Sequence, residues 1–210
     1  MKKEEILHKL TNHTAGILGA KELYKYAILL PLVEKEDGVH LLFEVRAASL
    51  RRQPGEICFP GGKIDPSDAS AQYAALRETE EELGIEKERV SHVVPLDYLV
   101  SSFGMIVYPY TGIIDSTSDV IPNPTEVDEV FSVPLKFFLD TPPQIHYVNV
   151  AMEPEESFPF ELIPGGKDYE WGTSKLAEHF YIYGDKVIWG LTARIILHFV
   201  EKLQRNNTNS

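Results

Sequence analysis

The chain has 210 residues and a formal net charge of −12, so a nucleic-acid-binding module with a broad basic face is not expected. A hydrophobic content of 43% is enough for one domain with a sizeable core. The single cysteine, Cys58, excludes an intramolecular disulfide. Together with the lack of a signal peptide and of any apolar run of about 18 residues, it predicts a cytoplasmic protein without a membrane span.

The predicted elements begin with a short helix in "EEILHKLTNH" and two strands, "YAILLPLVE" and "VHLLFEVRA". The Asp-Gly pair between the strands suits a tight hairpin, and Pro31 predicts an edge position or a bulge in the first strand. A Gly-Gly turn then leads into one strong helix. Its N-cap is predicted at Asp68 or Ser70 and its C-cap at Gly84.

Strand-type residues resume after this helix in "HVVPLDYLV" and "MIVYPYTGII", and "VFSVPLKFFL" indicates a strand end or loop that runs into a short helix. Two further strand candidates are "IHYVNVAME" and "HFYIYGDKVIWG", the latter with a hairpin at Gly184-Asp185. Between them, residues 153–177 are predicted to form a long loop. "LTARIILHFVEKLQ" predicts a core-facing helix, so the chain is predicted to be one mixed α+β domain.

The strong helix carries an unusual concentration of glutamates, four of them in the segment "ETEEE". At about 100° per residue, Glu78, Glu81 and Glu82 fall on one side of the helix. Like-charge pairs at this spacing cost roughly 0.2–0.5 kcal/mol each. Either the face is simply solvated, or a cation relieves the repulsion. Because Gly61 and Gly62 present a loop beside these carboxylates, a divalent-metal site for phosphate chemistry is the second hypothesis.

The segment from Gly62 to Ile85 resembles the Nudix box, commonly written G-x5-E-x7-R-E-U-x-E-E-x-G-U, where U is a bulky apolar residue. The match includes the Arg-Glu pair, the Glu-Glu pair and the final Gly-Ile. Two positions depart from the pattern. Asp68 stands for the first Glu, with eight residues before Arg77, and Thr79 occupies an apolar position.

The preceding segment, "LLFEVRAASLRRQPGEICFPGG", resembles the coenzyme A pyrophosphatase subgroup of this family, as do "NPTEVDEVFSVPLKFFL" and "IWGLTARI". Glu56 stands where that subgroup is expected to have Gln. The resemblance implies a Nudix hydrolase domain over 26–204, with its box at 62–85. It leaves an N-terminal helical extension at 1–25 and a disordered tail at 205–210.

The resemblance implies an α+β fold, the Nudix-type α/β/α sandwich around a mixed β-sheet. It also implies hydrolysis of the diphosphate of coenzyme A or its derivatives to 3′,5′-ADP and 4′-phosphopantetheine, or its acyl form, with Mg2+ or Mn2+. Neither a nucleic-acid nor a membrane partner is expected, and a homodimer is left open. A Nudix diphosphatase for an NDP-sugar, dinucleotide or oxidised nucleotide is an alternative, supported by Glu56. A non-catalytic nucleotide-sensing module is a third, disfavoured by the intact glutamate set.

The metal site is assigned to the acidic face of the helix. Glu78 and Glu82 are predicted as direct ligands, and Glu81 as a direct or water-mediated ligand and a candidate base. Arg77 is predicted to orient the acidic cluster.

Two loop carboxylates, Glu126 and Glu129, are candidates for a further ligand or the general base, because the family often recruits one from this region. The alternative for both is a solvated loop charge.

The basic run Arg46, Arg51 and Arg52 is unusual in so acidic a chain. Guanidinium groups match phosphate geometry, so the run could bind the 3′-phosphate of coenzyme A. Pairing with surface acids is the alternative. Lys63 could face a substrate phosphate or merely solvent.

Overall fold

The computed structural model describes residues 2–115 and 120–206. The helices are α1 (Lys3–Leu10), α2 (Ala71–Leu83), α3 (Leu135–Asp140) and α4 (Gly190–Asn206). The strands are β1 (Tyr24–Lys35), β2 (Gly38–Arg46), β3 (Ile57–Cys58), β4 (Gly61–Lys63), β5 (Val90–Pro95), β6 (Leu99–Ser101), β7 (Met105–Ile114), β8 (Val127–Pro134), β9 (Gln144–Ala151), β10 (Thr173–Tyr183) and β11 (Lys186–Trp189).

In the described part of the chain, eight strands form a mixed sheet. Five of them follow the order β3-β2-β1-β7-β5, in which β1 and β7 are parallel. Three short or lateral strands join this order: β4 pairs with β1, β6 with β7, and β8 with β2. The strands β9, β10 and β11 form a separate antiparallel sheet. The site described below lies where β4 and β2 approach α2.

Helices cover both faces of the mixed sheet. Successive side chains of β1 point to opposite sides of the sheet, so they pack against different helices. Leu29 packs in a cluster with Ala75 of α2, whereas Leu30 packs in a second cluster with Phe138 of α3 and Ile196 of α4. The predicted α/β/α sandwich around a mixed sheet is therefore confirmed.

Of the two alternatives predicted from Pro31, an edge position or a bulge, the edge position is wrong, because β1 lies between β2 and β7. Pro31 is nevertheless placed where a missing N–H can be tolerated. On one side of β1, residues 26–28 pair with β4 and residues 32–35 pair with β2, and Pro31 falls between these two segments. The proline is accommodated by a change of strand partner.

The hairpin at Gly184-Asp185 is confirmed, since Tyr183 pairs with Lys186 across it. The predicted loop at 153–177 contains two 3-10 turns, but β10 begins inside it at Thr173. Residues 173–177 pair with 147–151 of β9. The long separation along the chain conceals this pairing from local sequence patterns.

The chain ends differ slightly from the predicted boundaries. Helix α1 lies in the predicted extension at 1–25 and buries no residue, and β1 begins two residues before the predicted start of the domain at 26. Helix α4 reaches Asn206, so the predicted disordered tail at 205–210 begins within a helix, and 207–210 lie outside the described residues. Of the helices in 2–115 and 120–206, none has the length and apolarity needed to cross a bilayer.

Candidate active site

Helix α2 presents its last turn to the sheet. The Ser70 hydroxyl accepts from the Tyr73 N–H at the N-cap, and Gly84 ends the helix at φ 67°. Thr79 and Leu83 are fully buried, and Glu82 is only 6% exposed. Thr79 fits its apolar surroundings because its hydroxyl donates to the carbonyl of Ala75, one turn earlier. The solvated-face hypothesis is therefore wrong for Glu82.

The predicted Gly-Gly turn is wrong, because Gly61 and Gly62 are the first residues of β4 and pair with β1. The backbone of this strand holds the Glu82 carboxylate. The Gly61 N–H donates to Oε2 of Glu82 at 2.8 Å. At Gly61 a Cβ atom would lie 2.5 Å from the carbonyl oxygen of Ala27 and 2.7 Å from Cα of Ile28. Only glycine lets β4 begin this close to β1, and that approach points the Gly61 N–H at α2.

Arg77 connects the helix to the segment before it. Its Nε and one terminal nitrogen donate to Oδ1 and Oδ2 of Asp68 at 2.9 and 3.0 Å. The other terminal nitrogen donates to Glu78 at 2.9 Å and to Glu81 at 3.0 Å. Asp68 thus anchors an arginine that also contacts two of the acidic side chains, and the orienting role of Arg77 stays a prediction. The Glu81 side chain is 53% exposed.

Glu44 of β2 is a member of this cluster that the sequence interpretation missed. It is 1% exposed, and the Cys58 thiol donates to its Oε1 at 3.3 Å. Its Oε2 is buried without a hydrogen-bond partner. An acid inside the apolar run "LLFEV" was the available signal, because such a residue faces either solvent or a polar site.

The electrostatics of these groups reflect burial and mutual repulsion. Burial, followed by the nearby Glu44 charge, raises the pKa of Glu82 to about 9. Burial likewise raises the pKa of Glu44 to about 7, and it raises the pKa of Glu78 against the opposing effect of Arg77. In contrast, the hydrogen bonds from Arg77 hold the pKa of Asp68 below its ordinary value.

The structure separates the two predicted loop carboxylates: Glu126 lies in the turn before β8, but the loop position of Glu129 is wrong, because this residue lies within β8. The N–H of Asn123 donates to the Glu82 carbonyl at 2.8 Å, and its side-chain amide donates to Glu126 at 3.2 Å. Glu126 is close enough to raise the pKa values of Glu44 and Glu82. Glu129 instead pairs with Lys186 of β11 at 2.5 Å. The turn before β8 therefore brings Glu126, but not Glu129, to the acidic cluster.

The oxygen-only set of donors suits a hard divalent cation. Within 2–115 and 120–206, no three His, Cys, Asp or Glu side chains are already arranged to hold a metal ion. Two of the predicted ligands, Glu78 and Glu81, are paired with Arg77. The buried, unpartnered Oε2 of Glu44 and the repulsion around Glu82 fit a cation at this place, provided that side chains rotate towards it. The predicted ligand set stays a prediction.

The predicted basic residues lie in different surroundings. Arg46, at the end of β2, is half-buried and its Nε is buried without a hydrogen-bond partner. Arg51 and Arg52 are exposed in the loop that follows. Lys63 is exposed, with Nζ 5.4 Å from the centre of the Tyr24 ring. The structure does not bring Arg51, Arg52 or Lys63 into a contact that defines their function.

Comparisons with known proteins identify the family. The model of the NUDIX domain matches residues 23–149. The chain is 44% identical over 157 residues to the peroxisomal coenzyme A diphosphatase NUDT7 of Mus musculus, covering 73% of this chain and 64% of that protein. It is 34% identical over 178 residues to the uncharacterised Nudix hydrolase NudL of Photorhabdus laumondii, covering 85% of this chain and 84% of that protein.

A match of 33% identity to the mitochondrial Nudix hydrolase 15 of Arabidopsis thaliana covers 81% of this chain and 55% of that protein. The chain thus spans less than two thirds of the mouse and Arabidopsis relatives. The chain is also similar to the crystal structure of a MutT/nudix family protein from Enterococcus faecalis, with a TM-score of 0.54 and 14% sequence identity. The alignment covers 97% of this chain and 70% of the Enterococcus chain. That likeness supports the fold. The extent of the family match and the identity to these relatives establish that the chain belongs to the Nudix hydrolase family.

Proposed function

We propose that the chain is a metal-dependent diphosphatase that hydrolyses coenzyme A or its acyl derivatives to 3′,5′-ADP and 4′-phosphopantetheine or its acyl form. The observation that carries the proposal is the carboxylate cluster of Glu78, Glu81 and Glu82, held by Arg77 and the Gly61 N–H. The substrate is proposed from the resemblance to the coenzyme A pyrophosphatase subgroup and from the 44% identity to the mouse coenzyme A diphosphatase.

Mg2+ or Mn2+ would be held by Glu78 and Glu82, with Glu81 as a direct or water-mediated ligand. When bound, the cation would neutralise diphosphate oxygens and lower the pKa of the attacking water. Glu82 is already buried at this proposed site, and a hydrogen bond from the Gly61 N–H fixes one of the Glu82 carboxylate oxygens. Arg77 keeps Glu78 and Glu81 together on the same side of α2.

For the general base we favour Glu126 over Glu129. Glu126 lies near the buried carboxylates of the proposed cation site, so it is the better placed of the two to accept a proton there. Glu129 is engaged by Lys186. Glu81 is the other candidate base, since its side chain is half-exposed and can reach solvent.

The 3′-phosphate of coenzyme A is proposed to bind Arg46, Arg51 and Arg52, with Lys63 as a further phosphate contact. Arg46 has a buried Nε without a hydrogen-bond partner, which leaves a donor for a ligand. The alternative is a different nucleoside diphosphate derivative. It is favoured by Glu56, whose carboxylate accepts from the Gln53 amide at 2.9 Å in the same loop and would repel an anionic group.

The decisive experiment is product analysis with free coenzyme A and Mg2+, beside ADP-ribose, an NDP-sugar, a dinucleotide and an oxidised nucleotide. Formation of 3′,5′-ADP and 4′-phosphopantetheine is expected. Hydrolysis of another diphosphate but not of coenzyme A would support the alternative substrate. Binding without hydrolysis of any of them would support a nucleotide-sensing module.

The domain is proposed to span 26–204, with the helical extension before it, and a homodimer is one proposed assembly. Light scattering on the purified full chain decides the latter. The cytoplasm is proposed as the location because the chain has a lone cysteine. The mouse relative is peroxisomal by name, so imaging of the tagged full chain beside a peroxisomal marker tests this point.

A further inference from the structure

Glu44 is a buried carboxylate in the mixed sheet. It belongs to β2 and pairs with Cys58 of β3 on one side and with Val130 of β8 on the other. Its neighbours Phe43 and Leu42 are core residues, and Glu44 itself is 1% exposed. Burying an ionised carboxylate is costly unless hydrogen bonds or a positive charge compensate for it.

The hydrogen bonds of Glu44 are insufficient for a purely structural acid. Its Oε1 accepts from the Cys58 thiol at 3.3 Å, and a thiol is a weak donor. Its Oε2 is buried without any hydrogen-bond partner in the described residues. A carboxylate retained only to stabilise the fold would be expected to have both oxygens satisfied. One oxygen of Glu44 is therefore free to bind something that the protein itself does not supply.

The charges around Glu44 indicate what that partner is. Glu44 interacts electrostatically with Glu78, Glu82 and Glu126, and each interaction disfavours a further negative charge. Arg46 acts on Glu44 in the opposite direction, and Arg77 pairs with Glu78. The four carboxylates outnumber these two arginines, and a divalent cation with a preference for oxygen would balance them.

We propose that Glu44 is a further carboxylate of the divalent-cation site, contributed by β2 from outside the Nudix box, and that Cys58 positions it. The Cys58 thiol holds Oε1, which leaves Oε2 to turn towards the cation beside Glu82. This inference rests on the proposed metal-dependent function. It adds a ligand that comes from the sheet instead of from α2 or the loop that carries Glu126.

The test is a calorimetric titration of the chelator-treated full chain with Mn2+ alone, without substrate. Glu44→Gln keeps the shape and an acceptor for Cys58 but removes the charge. We expect it to weaken Mn2+ binding by about 10- to 100-fold, while the melting temperature of the metal-free protein stays level or rises. Glu80→Gln is the matched control, because it removes the same charge from α2 at a residue that pairs with Lys87. Its Mn2+ affinity should equal that of the wild-type chain.

The thiol is tested with a matched pair. Cys58→Ala removes the donor to Glu44 and should weaken Mn2+ binding, whereas Cys58→Ser keeps a donor and should restore it. Unchanged Mn2+ affinity in Cys58→Ala would overturn the positioning by Cys58.

Unchanged Mn2+ affinity in Glu44→Gln would overturn the inference and leave the proposed function intact. A lower melting temperature with unchanged affinity would show a structural Glu44. If Glu44→Gln does not fold, Glu44→Met provides a neutral variant of similar length, and failure of both to fold would also overturn the inference. Absence of Mn2+ binding by the wild-type chain would instead overturn the metal-dependent function itself.

Discussion

The Gly61 N–H donates to Oε2 of Glu82 at 2.8 Å, so the first residue of β4 and the last turn of α2 are joined at the carboxylate proposed to bind metal. The contact depends on a glycine that lies too close to β1 to carry a side chain. The position of the Glu82 carboxylate and the packing of β4 against β1 are therefore coupled through one residue. Because of this coupling, substitutions at the adjacent residues Gly61 and Gly62 are expected to have different effects.

Glu78→Gln and Glu82→Gln are each expected to lower turnover by at least about a hundredfold, because each removes an anionic ligand from the proposed cation. The melting temperature of the metal-free protein should stay level or rise, since a like-charge repulsion is relieved. Glutamine at position 82 still accepts from Gly61. Rates with Mg2+ and melting curves in chelator check both statements, and full activity or unfolding of either variant would contradict the assignment.

Substitution by alanine should have different effects at Gly61 and at Gly62, the first two residues of β4. In Gly61→Ala the Cβ meets the backbone of β1 at 2.5–2.7 Å, so the melting temperature should fall. In Gly62→Ala the Cβ would lie 2.3–2.5 Å from the Glu78 carboxylate, which can rotate away. This variant should stay folded but lose Mn2+ affinity and turnover. Equal stability losses in the two variants would argue against the contact with Glu78.

Metal alone should stabilise the folded chain. A ligand that binds only the folded state adds RT ln(1 + [L]/Kd) to the free energy of unfolding, or about 2.7 kcal/mol at a hundredfold excess over Kd. We expect Mn2+ to act at a lower concentration than Mg2+, in keeping with its looser geometric demands. Thermal melts over a range of metal concentrations measure the shift. If millimolar metal does not shift the melting temperature, with or without a diphosphate, the proposed metal site is contradicted.

The stability of the metal-free protein should fall as the pH rises from about 6 to about 9. Burial raises the pKa of Glu44 to about 7 and that of Glu82 to about 9 in the folded chain, from 4.5. A raised carboxyl pKa means that the folded state binds more protons than the unfolded state in this window. The stabilisation from these two carboxyl groups is complete below their pKa in the unfolded chain, and it is lost as the pH rises through their pKa values in the folded chain. Melts in chelator should show this slope, and Glu82→Gln should flatten it; a rising melting temperature over the same range would contradict it.

Substrate selection should depend on the arginines. If Arg46 and Arg51 receive the 3′-phosphate, coenzyme A should have a kcat/KM about ten- to a hundredfold above that of dephospho-coenzyme A, because a charge-assisted bond contributes roughly 1.5–3 kcal/mol. Arg46→Ala and Arg51→Ala should narrow this gap, as should high salt if the contact is exposed. Lys136→Ala, which removes an exposed cation paired with Asp140, is the control.

In the same assay, Glu56→Gln should leave activity on coenzyme A equal or higher, because it removes a negative charge from the loop that follows Arg51 and Arg52. Equal rates on coenzyme A and dephospho-coenzyme A would remove the proposed arginine contacts. Activity on ADP-ribose with none on coenzyme A would support the alternative substrate.

Local chemistry in the sequence determined much of this protein. Helix α2 was predictable from its cap residues Ser70 and Gly84, because capping depends on neighbours within one turn. The Gly184-Asp185 hairpin was predictable for the same reason. The acidic side of α2 followed from helical periodicity, and the family followed from the spacing of Gly, Arg and Glu in the box.

The tertiary structure alone decided which carboxylates meet. Glu82 is buried where β4 meets the last turn of α2, a contact between segments distant along the chain. Glu44 joins the cluster from β2 and Glu126 from the turn before β8, whereas Glu129, three residues further on, lies within β8 and pairs with Lys186 of β11. Sequence periodicity reports which side of an element a residue occupies. The burial and charge that set its chemistry depend on the element packed against that side, and this is decided only when the sheet and helices assemble.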